Sequence, residues 1–525
     1  MQPLINWLLI SSLAVCASFV AAQDGKNIPT QESQEQSHTT SVAGMVKLLA
    51  LEAELLNNFA SYANELEKKL EVVSSALAKM RAVNNQARLN TEEYLSNPIN
   101  SFALIRRMQR DWTFWQLYME QPIGEDQVDF VEQKRNQLPS TTDLEEAATA
   151  VHRIVATYDL QPLEMADGIL NGKRYNVSWN ALDTYALALY EFDQKNHNYA
   201  SNWIYHAIMW LKQNELPEPL GLKLTEVQLV YVEALLQSDR YQDALQLLKS
   251  VIASQPNDAR LLRRSAEIET LIRLNPNIKP KPFHKHTTSY EIGCRGQYPV
   301  KNKLHCTYNT TASPFLRLAP LKMELVRLDP YMVLFHDVIS PSEIKGLQEM
   351  AAPNLKRATV FNVEQARNIV VSTRTSKVAW FTDGFNELTK RLNARIADMT
   401  GFEMYGSEML QVMNYGLGGH YDKHHDYFDV ANDTDIVRMN GNRIATVLFY
   451  LTDVEQGGGT VFPQIQEIVF PKRGAAIMWY NLKNDGQGDT NTLHAACPVI
   501  VGSKWVCNKW IRERHQFRRR PCFNQ

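Results

Sequence analysis

Apolar residues fall along this chain in four different rhythms, and each predicts a different element. Residues 4–20 form an uncharged apolar run closed by Ala21-Ala22-Gln23, which puts small side chains at the −3 and −1 positions of a cleavage site. A signal peptide over 1–22 is the expectation. An uncleaved anchor is the alternative, although Asn6, Ser11 and Ser12 dilute the run below a comfortable membrane span. Residues 23–40 are rich in Gln, Ser and Thr and read as a flexible segment. Beyond them Leu49, Leu56, Ala63, Leu70 and Leu77 recur by sevens, while Met45, Phe59, Leu66, Val73 and Met80 fill the d positions, Glu52 excepted. A seam of that length predicts a dimerising coiled coil within a helical region at 41–143. The alternative is an internal helix covered by the aromatic-rich segment 102–119.

Between 144 and 274 the rhythm changes to small and aromatic residues at helical spacing: Ala186, Ala188, Tyr190, Tyr199, Ala200, Trp203 and Ala207, then Leu235, Tyr241, Ala244, Leu248 and Pro256. Ala244 and Pro256 stand where a tetratricopeptide repeat places its small packing residue and its terminating proline, so helical hairpins are predicted. Tyr175, Tyr185, Tyr190, Tyr199, Tyr205 and Tyr231 would make a groove in this domain aromatic, which suits a polyproline II ligand, though most such residues serve helix packing. Residues 275–282 are proline-rich and open a linker that runs to 330. In the remainder, 443–451 is apolar and β-branched, Gly457-Gly458-Gly459 marks a turn, and 460–463 and 475–480 read as further strands.

This strand-rich part carries the chemistry. Gly419-His420-Tyr421-Asp422-Lys423-His424-His425-Asp426 is followed by His494 and Lys504. Residues i and i+2 of a strand share a face, so one His-x-Asp pair and a distal histidine supply two imidazoles and a carboxylate to one side of a metal. That donor set, with positions left open, suits mononuclear Fe(II), and a lysine beyond it suits the far carboxylate of 2-oxoglutarate. Two pairs have the required spacing, His420 with Asp422 and His424 with Asp426. Spacing leaves both open.

From about 331 to 520 the chain resembles the catalytic domain of collagen prolyl 4-hydroxylase α subunits. The resemblance rests on Asn414-Tyr415-Gly416, Gly419 and Tyr421-Asp422-Lys423-His424-His425-Asp426. It continues in Gly441-Asn442-Arg443-Ile444-Ala445-Thr446, Gly458-Gly459-Thr460-Val461-Phe462-Pro463, Trp479-Tyr480-Asn481-Leu482, His494-Ala495-Ala496-Cys497-Pro498-Val499 and Lys504-Trp505-Val506. Its register implies His424, Asp426 and His494 as iron ligands, Lys504 on the 2-oxoglutarate C5 carboxylate with Tyr415 as a further contact, and ascorbate as the reductant that rescues oxidised iron. The implied fold is multidomain α + β: a coiled-coil helical region, a tetratricopeptide-like peptide-binding domain at 144–274, and a double-stranded β-helix (jelly-roll) oxygenase at 331–525. The implied reaction is hydroxylation of peptidyl proline in collagen-like or other Pro-rich chains. Protein disulfide isomerase is implied as β subunit of an α2β2 tetramer. Lys423, His425 and Arg512 depart from the family pattern, where Pro, Phe and His are common. Arg512 matters most, because a histidine there can sit near the co-substrate, and it keeps open a non-catalytic Pro-rich-peptide-binding subunit as an alternative. An oxygenase acting on a different secreted substrate is the other alternative.

Composition adds constraints. A formal charge of −2 argues against a nucleic-acid partner, and the arginines at 512, 514 and 518–520 read as a solvated basic edge. A secreted chain permits disulfides, and without Cys16 of the leader there remain Cys294, Cys306, Cys497, Cys507 and Cys522, an odd number. The resemblance pairs Cys294 with Cys306 and Cys497 with Cys522, leaving Cys507 a buried thiol. Asn176, Asn309 and Asn432 head glycosylation sequons. Phe523-Asn524-Gln525 is no retention signal, so residence in the endoplasmic reticulum lumen would depend on a partner.

Overall fold

The structure is a computed structural model that describes residues 40–280, 287–299, 305–362, 367–369, 373–429 and 434–519. The expected leader, Asn432 and Cys522 lie outside the described residues. No described helix is long and apolar enough to cross a membrane. The chain divides into two compact units, Met45–Ser140 and a larger one formed by Thr141 onward with the residues up to Gly44.

The smaller unit is built on helix α1 (Val42–Leu89), whose apolar positions make two stripes. One stripe is the packed side: Leu51 is buried, and Leu55, Tyr62, Val73 and Met80 are half-buried. On that side Asn58 Nδ2 donates to Gln127 O at 2.9 Å, Lys69 Nζ donates to Gln121 O at 2.6 Å, and Lys134 pairs with Glu54 at 2.7 Å. The other stripe contains the heptad residues Leu49, Leu56, Phe59, Leu66, Leu70 and Leu77, all exposed, Leu56 at 62% and Leu70 at 65%. A heptad stripe drifts by about 20° per repeat around a straight helix, which is why Val73 and Met80 rotate toward the packed side while the earlier positions face out. The aromatic segment does not cover the seam, for Phe102, Phe114 and Leu117 are themselves exposed.

In the larger unit α2 (Thr141–Tyr158) precedes five helices that pack each on the next: α3 (Ala181–Asp193), α4 (His197–Leu211), α5 (Leu224–Gln237), α6 (Tyr241–Ser254) and α7 (Ala259–Leu274). Local chemistry sets their ends. Asn180 closes a capping box with Asp183 at the start of α3, and Asp258 accepts from Arg260 N at the start of α7. Pro256 falls just past the last turn of α6. Ala188, Ala200, Ala207 and Ala244 are fully buried, as small residues are where helices approach closely. The tyrosines differ in their surroundings. Tyr205 is exposed, Tyr185, Tyr190, Tyr199 and Tyr231 are half-buried against the helical core, and the Tyr175 hydroxyl donates to Glu455 at 2.7 Å in the strand-rich region.

A short helix, α8 (Ser289–Cys294), leads into the sheets. In chain order the strands of the two larger sheets are β1 (Cys306–Asn309), β2 (Leu321–Arg327), β3 (Met332–His336), β4 (Lys356–Arg357), β5 (Ser376–Phe381), β6 (Leu410–Tyr415) and β7 (Tyr421–His424). They continue with β8 (Arg443–Tyr450), β9 (Thr460–Phe462), β10 (Glu467–Val469), β11 (Ala476–Tyr480), β12 (His494–Ala496) and β13 (Lys504–Arg512). One antiparallel sheet runs β1-β2-β3-β11-β8-β13-β6-β5-β4, and a smaller one runs β7-β12-β9-β10. The segment expected as linker thus supplies two strands, β1 and β2, to the large sheet. Alternation along β13 divides its duties: Trp505, Cys507 and Ile511 enter the core behind the large sheet, while Val506 packs toward the small one.

The cysteine pairing differs from the expectation. Cys294 is bonded to Cys497, 203 residues away, because α8 packs on β9, beside which β12 runs, and Cys294, Val461, Ala495 and Cys497 share one buried cluster. Cys306 is a free exposed thiol on β1, and Cys507 is buried as expected, its thiol pushed up to about 12 by burial.

Candidate metal and co-substrate site

Strands β7 and β12 meet with His424 directly opposite His494, their rings 4.3 Å apart. Asp426 was expected on the same strand as His424, but β7 ends at His424 and Asp426 sits in the bend that follows. It is placed from β8 instead. Thr446 Oγ1 donates to Asp426 Oδ2 at 2.7 Å, Asn481 Nδ2 donates to Thr446 at 2.9 Å, and Arg443 Nη1 holds the Asp426 carbonyl at 3.1 Å. Donor atoms of His424, Asp426 and His494 lie within 4.8 Å of one another. His424 Nε2 is 3.5 Å and His494 Nε2 3.7 Å from the Asp426 carboxylate.

The tautomers follow from the backbone. His424 Nδ1 lies 2.7 Å from Asp422 O and His494 Nδ1 2.9 Å from Thr492 O. A carbonyl only accepts, so each Nδ1 carries the proton and each Nε2 turns a lone pair toward the carboxylate. Burial, with His424 beside it, pushes His494 down to about 4 and keeps it neutral. Despite its burial, Asp426 is held well below the usual carboxylate range, with Arg443 the permanent positive charge beside it. Two imidazoles and a carboxylate, tied from behind and open in front, fit a divalent iron.

The rival pair goes elsewhere. His420 is buried, its Nδ1 2.8 Å from Thr375 Oγ1 and its Nε2 3.2 Å from Asp422, and it takes no part in the cluster.

Across the pocket, Lys504 pairs in register with Tyr415 of β6, its ammonium 4.9 Å from the Tyr415 ring. Lys504 is 1% exposed and its ammonium makes no ion pair or hydrogen bond with any described residue. Burial alone pushes it down to about 7, and pushes Tyr415 up to about 12. An unpartnered buried cation is costly unless an anion joins it.

Five residues lining the same pocket carry a buried polar atom without a hydrogen-bond partner, a feature that sequence reasoning missed: Arg374 Nε, Gln411 Nε2, Trp479 Nε1, Asn508 Oδ1 and Trp510 Nε1. Asn508 and Trp510 share the Lys504 face of β13, a parity readable in the sequence; nothing marks Arg374. Its guanidinium lies 4.8 Å from the Tyr421 ring, which in turn stacks on His424 at 3.6 Å. Arg512 is not among the lining residues. It pairs with Glu408 at 2.8 Å and donates to Gly441 O at 2.7 Å, away from the co-substrate position expected for it.

Residues 41–172 match the model of the prolyl 4-hydroxylase alpha-subunit N-terminal region, and 410–512 match the 2OG-Fe(II) oxygenase superfamily. The chain is 34% identical over 507 residues to prolyl 4-hydroxylase subunit alpha-2 of Caenorhabditis elegans, covering 92% of this chain and 93% of that one. It belongs to the prolyl 4-hydroxylase alpha-subunit family. Subunit alpha-1 of Rattus norvegicus is 32% identical over 510 residues, 92% of this chain and 95% of that one. Subunit alpha-1 of Caenorhabditis elegans is 33% identical over 511 residues, 92% and 90% of the two chains. The family's pairing of a helical N-terminal region with an oxygenase region is the one seen in this structure.

Proposed function

We propose that this chain is the catalytic α subunit of a procollagen-proline 4-dioxygenase, hydroxylating peptidyl proline in collagen-like or other Pro-rich secreted chains. The observation that carries the reading is the pairing, in one pocket, of the His424–Asp426–His494 cluster with the buried, unpartnered Lys504 ammonium. Those three side chains would hold Fe(II), and Lys504 with Tyr415 would hold the C5 end of 2-oxoglutarate. When bound, iron and 2-oxoglutarate with O2 supply the oxidising power that converts an unactivated C–H to C–OH, releasing succinate and CO2, with ascorbate as the rescuing reductant.

The chain's own residues do the rest. Thr446 and Asn481 fix the carboxylate, Trp479 and Phe462 crowd His494 and exclude water, and β13 sets the lysine at a constant reach from the ligands. Substrate recognition falls to Arg374, Gln411 and Trp510. Proline has no amide N–H, so a Pro-rich backbone offers mainly carbonyl acceptors; Arg374 Nη2 is spent on Gln411 Oε1 at 3.1 Å, but Arg374 Nε, Gln411 Nε2 and Trp510 Nε1 remain donors without a partner.

The finer parts of the reading rest on the family and on sequence. The two-sheet region is a double-stranded β-helix, helices α3–α7 are tetratricopeptide-like, and the exposed α1 stripe joins two α subunits in an α2β2 assembly with protein disulfide isomerase. The mature chain works in the endoplasmic reticulum lumen. Asn176, exposed at a bend, suits a glycan; Asn309 uses its amide nitrogen on Met399 O at 3.2 Å and suits one less. Since Arg512 is engaged with Glu408, it gives no ground for a non-catalytic subunit. Co-expression with the isomerase, then mass spectrometry of (Pro-Pro-Gly) repeat peptides incubated with Fe(II), 2-oxoglutarate and ascorbate, tests the proposal. Hydroxyproline supports it, and its absence in an iron-loaded, folded complex overturns it.

A further inference from the structure

A second cavity opens on the far side of the Tyr421–His424 stack. It is a cleft of about 480 Å³ lined by Tyr290, Thr373, Tyr421, Asp422, Lys423 and His424, roomier than the inner pocket of about 40 Å³. Tyr421 and His424 line both, so the stacked rings form the wall between them.

The outer wall is not part of the strand-rich region. Tyr290 comes from α8, and Arg153 of α2 reaches the turn at Gly418 just ahead of β7. Both segments are fastened to the sheets. Arg153 Nη1 donates to Gly418 O at 3.0 Å, Tyr158 OH to Pro498 O at 2.6 Å and Ser289 Oγ to Pro463 O at 2.8 Å, and Cys294 is bonded to Cys497. Arg295 Nε ties α8 back to Thr157 O at 2.8 Å. The Tyr290 hydroxyl makes no hydrogen bond with a described residue, and Arg153 has no carboxylate among the described residues within ion-pair distance. Burial and the Asp422 charge push the Tyr290 phenol up while the Arg153 charge opposes them.

We infer that this cleft is an outer subsite for the peptide substrate, in which Arg153 and Tyr290 position the extended segment flanking the target proline. The inference rests on the proposed activity and deepens it. An extended Pro-rich flank presents carbonyls and proline rings. The Tyr290 hydroxyl, Arg153 and Lys423 are donors for the first, and the faces of Tyr290 and Tyr421 suit the second. Asp422, one side of which pairs with His420, would accept the N–H of a glycine or other non-proline residue. The reacting proline would lie beyond the ring wall, in the inner pocket. Upstream helices therefore complete the oxygenase site.

The test uses the full chain with its isomerase partner and two substrates, a blocked tripeptide holding only the target proline and a long (Pro-Pro-Gly) repeat. Arg153→Gln should raise KM for the long peptide about tenfold and Tyr290→Phe about fivefold, each moving KM for the tripeptide less than about twofold. Calorimetric peptide affinity should fall in parallel. Equal shifts for both peptides, or none for either, overturn the subsite. The Arg153→Gln change removes the charge and the reach to Gly418 O, and Tyr290→Phe removes one oxygen only, so thermal melting of both variants separates lost recognition from lost folding. Wild-type protein that hydroxylates neither peptide refutes the proposed activity. Wild type active on both with unaffected variants refutes the outer subsite alone.

Discussion

The Met45–Ser140 unit and the two-sheet region break the rule of apolar inside and polar outside in opposite directions. On α1 Leu49, Leu56, Phe59, Leu66, Leu70 and Leu77 lie in water, whereas between the sheets Lys504, Asp426, His494, Arg374 and Gln411 are buried. Each inversion costs free energy in the isolated chain, and under the proposed function each would be relieved by a different class of partner: another apolar surface for the first, a metal ion, an anionic co-substrate and a peptide backbone for the second. The lesson is to ask of each misplaced residue what would satisfy it.

That comparison breaks most sharply at the ligands. His424→Ala, Asp426→Ala and His494→Ala should each lower turnover by at least about a thousandfold and lose stoichiometric iron by metal analysis. Asp422→Ala should keep its iron. Loss of iron from the Asp422 variant with retention in the Asp426 variant would move the site to His420 and Asp422.

On the other unit, Leu56→Asp with Leu70→Asp should weaken self-association of the full chain roughly a hundredfold or more, since each places a charge in a dry seam. Sedimentation that finds wild type and variant equally associated would mean the exposed stripe is covered by something else.

Lys504→Ala should raise the 2-oxoglutarate KM by about tenfold or more while iron content holds. The pH dependence sharpens this. The free ammonium titrates at about 7 because it is buried, so below that pH the site is charged and attracts the dianion, and above it the cation is lost. The 2-oxoglutarate KM should therefore climb from about pH 6 to about pH 8.5 in wild type and stay flatter in the Ala variant. Parallel curves would mean another group controls binding.

Smallest is Arg512→His. With Arg512 spent on Glu408 and Gly441 O, the 2-oxoglutarate KM should move less than about twofold, while the melting temperature falls by a few degrees as Glu408 keeps only Arg443. A large change in KM would put Arg512 back at the co-substrate.

What could be read from sequence was what is local. The heptads gave α1, and the β-branched runs gave β8, β9 and β11 almost to their ends. The ligand register needed the family resemblance, because His420 and His424 head identical spacings and only the contacts to Thr375 and Asp422 O separate their roles. Three features were hidden because they depend on how distant segments pack. Cys294 meets Cys497 only through α8, Tyr175 turns from the helices to Glu455, and Arg374 reaches the pocket from outside any motif. Arg512 was misplaced for a related reason. Its partner Glu408 lies more than a hundred residues earlier, and no pattern joins them.

The strand that carries Lys504 is the last described in chain order, yet it lies in the middle of the large sheet, between β8 and β6. A growing chain that has reached β12 therefore owns all three candidate iron ligands and an unfinished sheet, with β6 and β8 each offering an unpaired edge rich in Val, Leu, Met and Phe. Insertion of one nine-residue strand joins the two halves and delivers the lysine together with Asn508 and Trp510. The pocket is thus completed by the same event that makes the sheet continuous. A nascent chain is most prone to aggregate just before it becomes able to bind its co-substrate, so that is the stage at which a folding partner in the same compartment would have most to protect.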